Sequence, residues 1–203
     1  MGSALRTPRV TVPAAHNLTS FDPVEQKTPR INPGGFRDLG PINWGLSKVI
    51  STAAGTSNAK LFSTLGRTGG TFLGWLHYSG QLMPGGSLSR RDTEMAILRV
   101  AHLRACDYEQ DHHRRLGAKA GLTPELQDRI KQGPDAAGWN EKERALLNAV
   151  DQILLTRGLE DAEWNALSQH YDERRLIEIC LVVTQYDGLA TTISVLQIGR
   201  DQF

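Results

Sequence analysis

From Asn43 onward, capping residues and stops cut the chain into segments of helical rather than alternating period, which leaves few folds open. Ser89, with Asp92 three residues on, opens a segment expected to run to about Ala105. Asp107 with Gln110 opens the next, which ends near Ala120 with Gly121 as the left-handed stop. Thr123-Pro124 starts another that Gly133-Pro134 closes. Asn140 with Glu143 opens a further one, stopped by Gly158; Asp161 opens a short helix and Asp172 a long one to about Ile198. Upstream, residues 43–54, 58–66 and 71–82 are helical candidates, the last ended by Pro84-Gly85-Gly86. No strand-like alternation competes, so the chain is expected to be all-α, a multi-helix bundle.

Residues 1–42 read differently. Six of the nine prolines fall there and no period emerges, so this stretch is predicted to be an extended N-terminal arm on a helical domain spanning 43–203. The last helix (Leu176, Ile177, Ile179, Leu181, Val182, Val183, Leu189, Ile193, Leu196) is apolar nearly all round. Such a helix is expected either at the centre of the core or against another subunit.

Composition excludes several classes. A net charge of +1 lacks the basic excess of a nucleic-acid binder. No run of about 18 apolar residues suggests a membrane span, and no apolar leader suggests secretion, so a cytoplasmic location is expected. Cys106 and Cys180 are then expected as free thiols. No glycine-rich phosphate loop follows a strand, so no nucleotide or flavin cofactor is expected.

The reactive groups concentrate between Glu94 and His113. Glu94 shares an apolar helical stripe with Ile97, Leu98 and Ala101, an unusual place for a carboxylate without a partner or a task. Cys106 comes twelve residues later, Glu109 three after that and His113 four further on. Two helices meeting at a tight junction can bring Glu109 and His113, one turn apart on one face, against Glu94. Two carboxylates and an imidazole in a partly apolar pocket form an acid–base set, because burial and like charge drive their ionisation apart. The bland alternative is an ordinary surface pair and a solvated His112-His113-Arg114-Arg115 face. A Cys106 thiolate would feel the positive end of the second helix. Glu109-x-x-His112 is the one Glu-x-x-His pair in the chain, and a di-iron bundle needs two plus further glutamates, so no metal is expected. Tyr108 and His112 are candidates to line the substrate pocket. Trp75, Trp139, Trp164 and Tyr186, like Tyr108, could also line a pocket, with the core the more ordinary place for each.

The interval Glu-x11-Cys-x-x-[Cys]-x3-His, and the surrounding text EMAILRVAHLRACDYEQDHHRRLGAKAGLTPE, resemble the carboxymuconolactone decarboxylase and alkyl hydroperoxidase D family. The resemblance holds over about residues 70–135 and more loosely into the C-terminal helices. It implies a bundle of the alkyl hydroperoxidase D type, assembly into homo-oligomers, and Glu94 and His113 as a proton-relay pair. Glu109 stands where the peroxidase branch has its second thiol, so the disulfide cycle is not implied. The function expected is decarboxylase-like acid–base chemistry on a small organic molecule, without a cofactor. The alternatives are a Cys106-dependent hydroperoxidase using an external thiol, and a non-catalytic ligand-binding oligomer.

Overall fold

The computed structural model describes residues 28–203, and among these it contains nine α-helices and no strand. Its first helix, α1 (Phe36–Ala54), begins inside the stretch assigned to the arm. Gly40, at φ +68°, breaks the helical geometry, and Pro41 restarts it with the φ its ring imposes. The proline that argued against a helix therefore sits at the start of the second piece. The arm is helical from Phe36 rather than extended to 42, and its residues 1–27 lie outside the described ones. Leu39, Asn43, Ser47 and Ser51 form the buried stripe of α1, and Asn43 Nδ2 donates to the carbonyls of Gly66 and Gly69 at 2.9 and 3.2 Å.

Then follow α2 (Lys60–Leu65), a 3-10 turn at Gly66–Thr68, and α3 (Gly70–Leu82). The remainder is α4 (Arg90–Leu103), α5 (Asp107–Lys119), α6 (Pro124–Gln132), α7 (Glu141–Thr156), α8 (Asp161–Ser168) and α9 (Glu173–Leu196). The caps explain most boundaries. Ser89, Thr123, Asn140 and Asp172 each accept a backbone N–H of the first turn, and Asn140 with Glu143 closes a full capping box. Three expectations are corrected. The Asp92 carboxylate reaches Lys142 Nζ at 2.6 Å rather than completing a box with Ser89. Cys106, not Asp107, occupies the N-cap of α5. Arg157, at φ +59°, ends α7 before Gly158.

The centre of the molecule is α4, where every residue from Asp92 to Ala101 is buried. It packs against α5, α6, α7 and α9. Its charges do not force an exposed face because they are paired. Arg99 makes a two-pronged bond to Asp151 at 2.6 and 2.7 Å and caps the carbonyls of Ile130 and Lys131. By contrast α9, which reads as apolar all round, buries one side through Leu176, Ile179, Val183, Tyr186, Ala190 and Ile193. Ile177 and Val195 stay 60% and 53% exposed. Among the described residues it is the one helix long and apolar enough to cross a membrane by length and composition, and a third of that window is buried inside the molecule.

Candidate active site

The site forms where α4 hands over to α5. Val100 accepts from Arg104 N, His102 from Ala105 N and Ala101 from Cys106 N, so the chain turns within Arg104 and Ala105. Ala105 holds φ +48°, a left-handed conformation that costs a residue with a Cβ about 1–3 kcal/mol. The return is tight enough to lay the first turns of α5 along α4. Glu109 and His113, on one face of α5, are both buried there, and Glu94 of α4 is fully buried.

His113 Nδ1 and Glu94 Oε2 are 2.7 Å apart, a short contact that joins the two helices. With Nδ1–H donating to the carboxylate, the lone pair of the imidazole lies on Nε2, which has no hydrogen-bond partner among the described residues. Arg90, one turn before Glu94, brings Nη2 to 3.0 Å from Oε1, too poorly aligned for a hydrogen bond. Tyr186 of α9 meets the His113 ring edge-on, with centroids 5.0 Å apart.

Glu109 is buried with neither carboxyl oxygen hydrogen-bonded, which pushes its pKa up to about 8. Loss of hydration is the main cause; the contact with the neighbouring Cys106 thiol comes second and works the other way, and the Asp187 charge adds a smaller rise. Cys106 is also buried, and its thiol is pushed up to about 12, first by burial and then by the Glu109 charge. Its N-cap position favours a thiolate, but burial and carboxylates outweigh a helix end. At neutral pH the pair is a thiol beside a protonated carboxyl.

Four of the expected residues, Glu94, Cys106, Glu109 and His113, thus meet at the α4–α5 junction. Tyr108 and His112, expected in the pocket, do not join them. Tyr108 precedes Glu109 and His112 precedes His113 by one residue, roughly 100° around the helix, and each faces the C-terminal tail instead. Tyr108 Oη donates to Asp201 Oδ2 at 2.7 Å, His112 Nε2 lies 3.0 Å from the same oxygen, and Lys60 N donates to Oδ1. These are structural bonds. Arg90 was missed as a member, and Tyr186, weighed for a pocket, was read in preference as core. Arg90 was legible as the i, i+4 partner of Glu94, whereas Tyr186 was hidden among the apolar residues of α9.

Among the described residues, half of the eight buried side-chain N and O atoms without a hydrogen-bond partner belong to this one cluster: Arg90 Nη1, Glu94 Oε1 and both Glu109 oxygens. Among the described residues no three His, Cys, Asp or Glu side chains converge as a metal site. A cavity of about 290 Å³ opens between α3 and α9, lined by Phe72, Trp75, Leu65 and Leu189 among others and by no member of the cluster itself. Leu65 and Leu189 also pack against the group that contains Cys106.

Comparison with known proteins fits this architecture. The model of the carboxymuconolactone decarboxylase family matches residues 70–152. An uncharacterised peroxidase-related protein with an alkylhydroperoxidase AhpD core, from Ralstonia eutropha, superposes with a TM-score of 0.75 at 17% identity, covering 86% of this chain and 92% of its own. A peroxidase-related protein from a Silicibacter species gives 0.71 at 16%, covering 86% and 89%. The debrominase Bmp8, as a cysteine-to-alanine variant in complex with 2,3,4-tribromopyrrole, gives 0.70 at 14%, covering 85% and 91%. Among curated proteins no sequence matches.

Proposed function

Because the carboxymuconolactone decarboxylase family model matches residues 70–152, we propose that this chain is an enzyme performing acid–base chemistry on a small organic substrate with an acidic C–H. His113 Nε2, oriented by Glu94, takes the proton from carbon. Glu109, neutral at physiological pH, returns a proton to the substrate as general acid. Double-bond migration in a lactone passes through both steps, whereas decarboxylation of a β-keto acid forms its enolate by losing CO2 and uses only the return of a proton to carbon. The apolar cavity between α3 and α9 offers room for the substrate's body.

The observation that carries this reading is the set of unpartnered buried polar atoms at Arg90, Glu94 and Glu109. A buried polar atom left unbonded costs about 1–3 kcal/mol; the Arg90–Glu94 ion pair offsets part of that cost, and no ion pair offsets it at Glu109 among the described residues. A second reading, hydroperoxide reduction by Cys106, has in its favour the thiol's place at the N-cap of α5. Against it stands a thiol pushed up to about 12, since the thiolate is the nucleophile.

The test is deuterium uptake from D2O at the carbon between the carbonyls of a panel of β-keto esters and lactones, followed by proton NMR. The native chain accelerates uptake for at least one compound; Glu109→Gln and His113→Ala each lower that rate about 10²–10⁴-fold. Unchanged rates in both variants would overturn the proposal, as would no acceleration across the panel.

A further inference from the structure

The groups just assigned take and return protons, and they leave the substrate's oxygen unaccounted for. An enolate carries its negative charge on that oxygen, and in a dry site the charge needs donors already in place. Glu94 and Glu109 cannot serve alone, one being bonded to His113 and the other a single proton source.

Two donors in the cluster are unspent. Tyr186 is nine-tenths buried, and its hydroxyl has only the Met83 thioether sulfur for a partner, 3.6 Å away. Thioether sulfur is a weak acceptor, so a phenol placed only to fill space would be better replaced by phenylalanine. Arg90 commits Nη2 to the Glu94 side while Nη1 is buried with no partner. Neither donor is bonded to the free oxygens of Glu109. Around the Glu94–His113 pair the Tyr186 hydroxyl is thus weakly bonded and Arg90 Nη1 and both Glu109 oxygens are unbonded among the described residues, the arrangement expected when a third molecule completes the bonds.

We propose that Tyr186 Oη–H and Arg90 Nη1–H bind the oxygen of the substrate that becomes an enolate, making both catalytic residues. When His113 takes the proton, the C–H electron pair moves into the new carbon–carbon double bond and the carbonyl pair onto oxygen. The oxygen's charge then accepts from both donors until Glu109 returns a proton to carbon. Tyr186 remains a donor throughout, because burial, first, and the Glu94 and Glu109 charges hold its ionisation far above neutrality. The inference rests on the acid–base reading for the identity of the oxygen.

Substituted phenols test it without turnover, since a phenolate presents the same localised oxyanion. The full chain is titrated with 4-nitrophenol and its more acidic and less acidic relatives, and the visible phenolate band is recorded. The native chain is expected to bind the phenolate in preference to the neutral phenol. Tyr186→Phe, which keeps the ring against His113, and Arg90→Lys, which keeps a charge beside Glu94, each weaken phenolate binding about tenfold or more. Arg91→Met, whose cation pairs with Glu143 away from the cluster, keeps native affinity, and circular dichroism confirms folding. Equal phenolate affinity in native chain and both variants would overturn the inference, as would native binding of neutral phenol alone or of neither form. Loss of exchange in Glu109→Gln with phenolate binding unaffected by Tyr186→Phe would sink this inference while the acid–base reading stands. The reverse pattern would sink that reading and leave the oxyanion site.

Discussion

Burial and a neighbouring thiol act in opposite directions on Glu109, and burial wins. Desolvation penalises the carboxylate more than the Cys106 contact relieves it, so Glu109 holds its proton to about pH 8. The same burial keeps Cys106 a thiol. Its chemistry should therefore be slow: iodoacetamide labelling of Cys106, separated from the exposed Cys180 by mass spectrometry, is expected to show no thiolate plateau below pH 9. A plateau at neutral pH would mean an activated thiol and would favour the peroxidase reading. At this scale Glu94 was readable from sequence because a carboxylate on an apolar stripe needs a reason. Cys106, Glu109 and His113 were readable from their spacing. Tyr186 was not, since an amphipathic ring on an apolar helix looks the same whether its hydroxyl is used or idle.

At the scale of elements, α5 has two working faces. One carries Glu109 and His113 against α4; the other carries Tyr108 and His112 against the C-terminal tail, where Asp201 accepts from Tyr108 and from the Lys60 amide. Phe203 continues this contact, edge-on to His112 and beneath the Arg115 guanidinium at 4.0 Å. The tail thus braces the helix that positions the site. Asp201→Ala leaves a buried phenol and a backbone N–H without their acceptor, and urea unfolding should show a loss of about 3 kcal/mol; a loss under about 0.5 kcal/mol would mean the tail is not a brace. Nothing local announces this. Tyr108 and Asp201 are 93 residues apart, and a histidine beside a catalytic histidine reads as part of the same pocket until the helical phase is known. The caps, by contrast, are local bonds between residues three apart, and most helix starts could be read directly.

Across the whole molecule, sequence hydropathy points to α9 either as the centre or as a contact with another subunit, and the structure puts α4 at the centre. Pairing explains the exchange: Arg99 with Asp151, Asp92 with Lys142 and Glu94 with His113 let a charged helix be covered on every side. Apolarity alone does not say which neighbours exist to cover a helix. A centre that encloses a protonated carboxyl also couples the site to global stability. Glu109 takes its proton near pH 4.5 in an unfolded chain and near 8 in the folded one. Between those values the native state holds the extra proton, so the free energy of unfolding falls as pH rises. Below about 4.5 the contribution is fully favourable, and above about 8 the penalty is complete, on the order of several kcal/mol in total.

The measurement that tests this account most directly is the unfolding free energy by urea across pH 5–8, for the native chain and for Glu109→Gln. Glutamine keeps the shape of the protonated acid and cannot ionise. The native chain should lose stability relative to the variant steadily over this interval, with a difference approaching 1.4 kcal/mol per pH unit. Parallel profiles, or a native chain that gains on the variant as pH rises, would show that Glu109 is ionised at neutral pH and cannot be the proton donor.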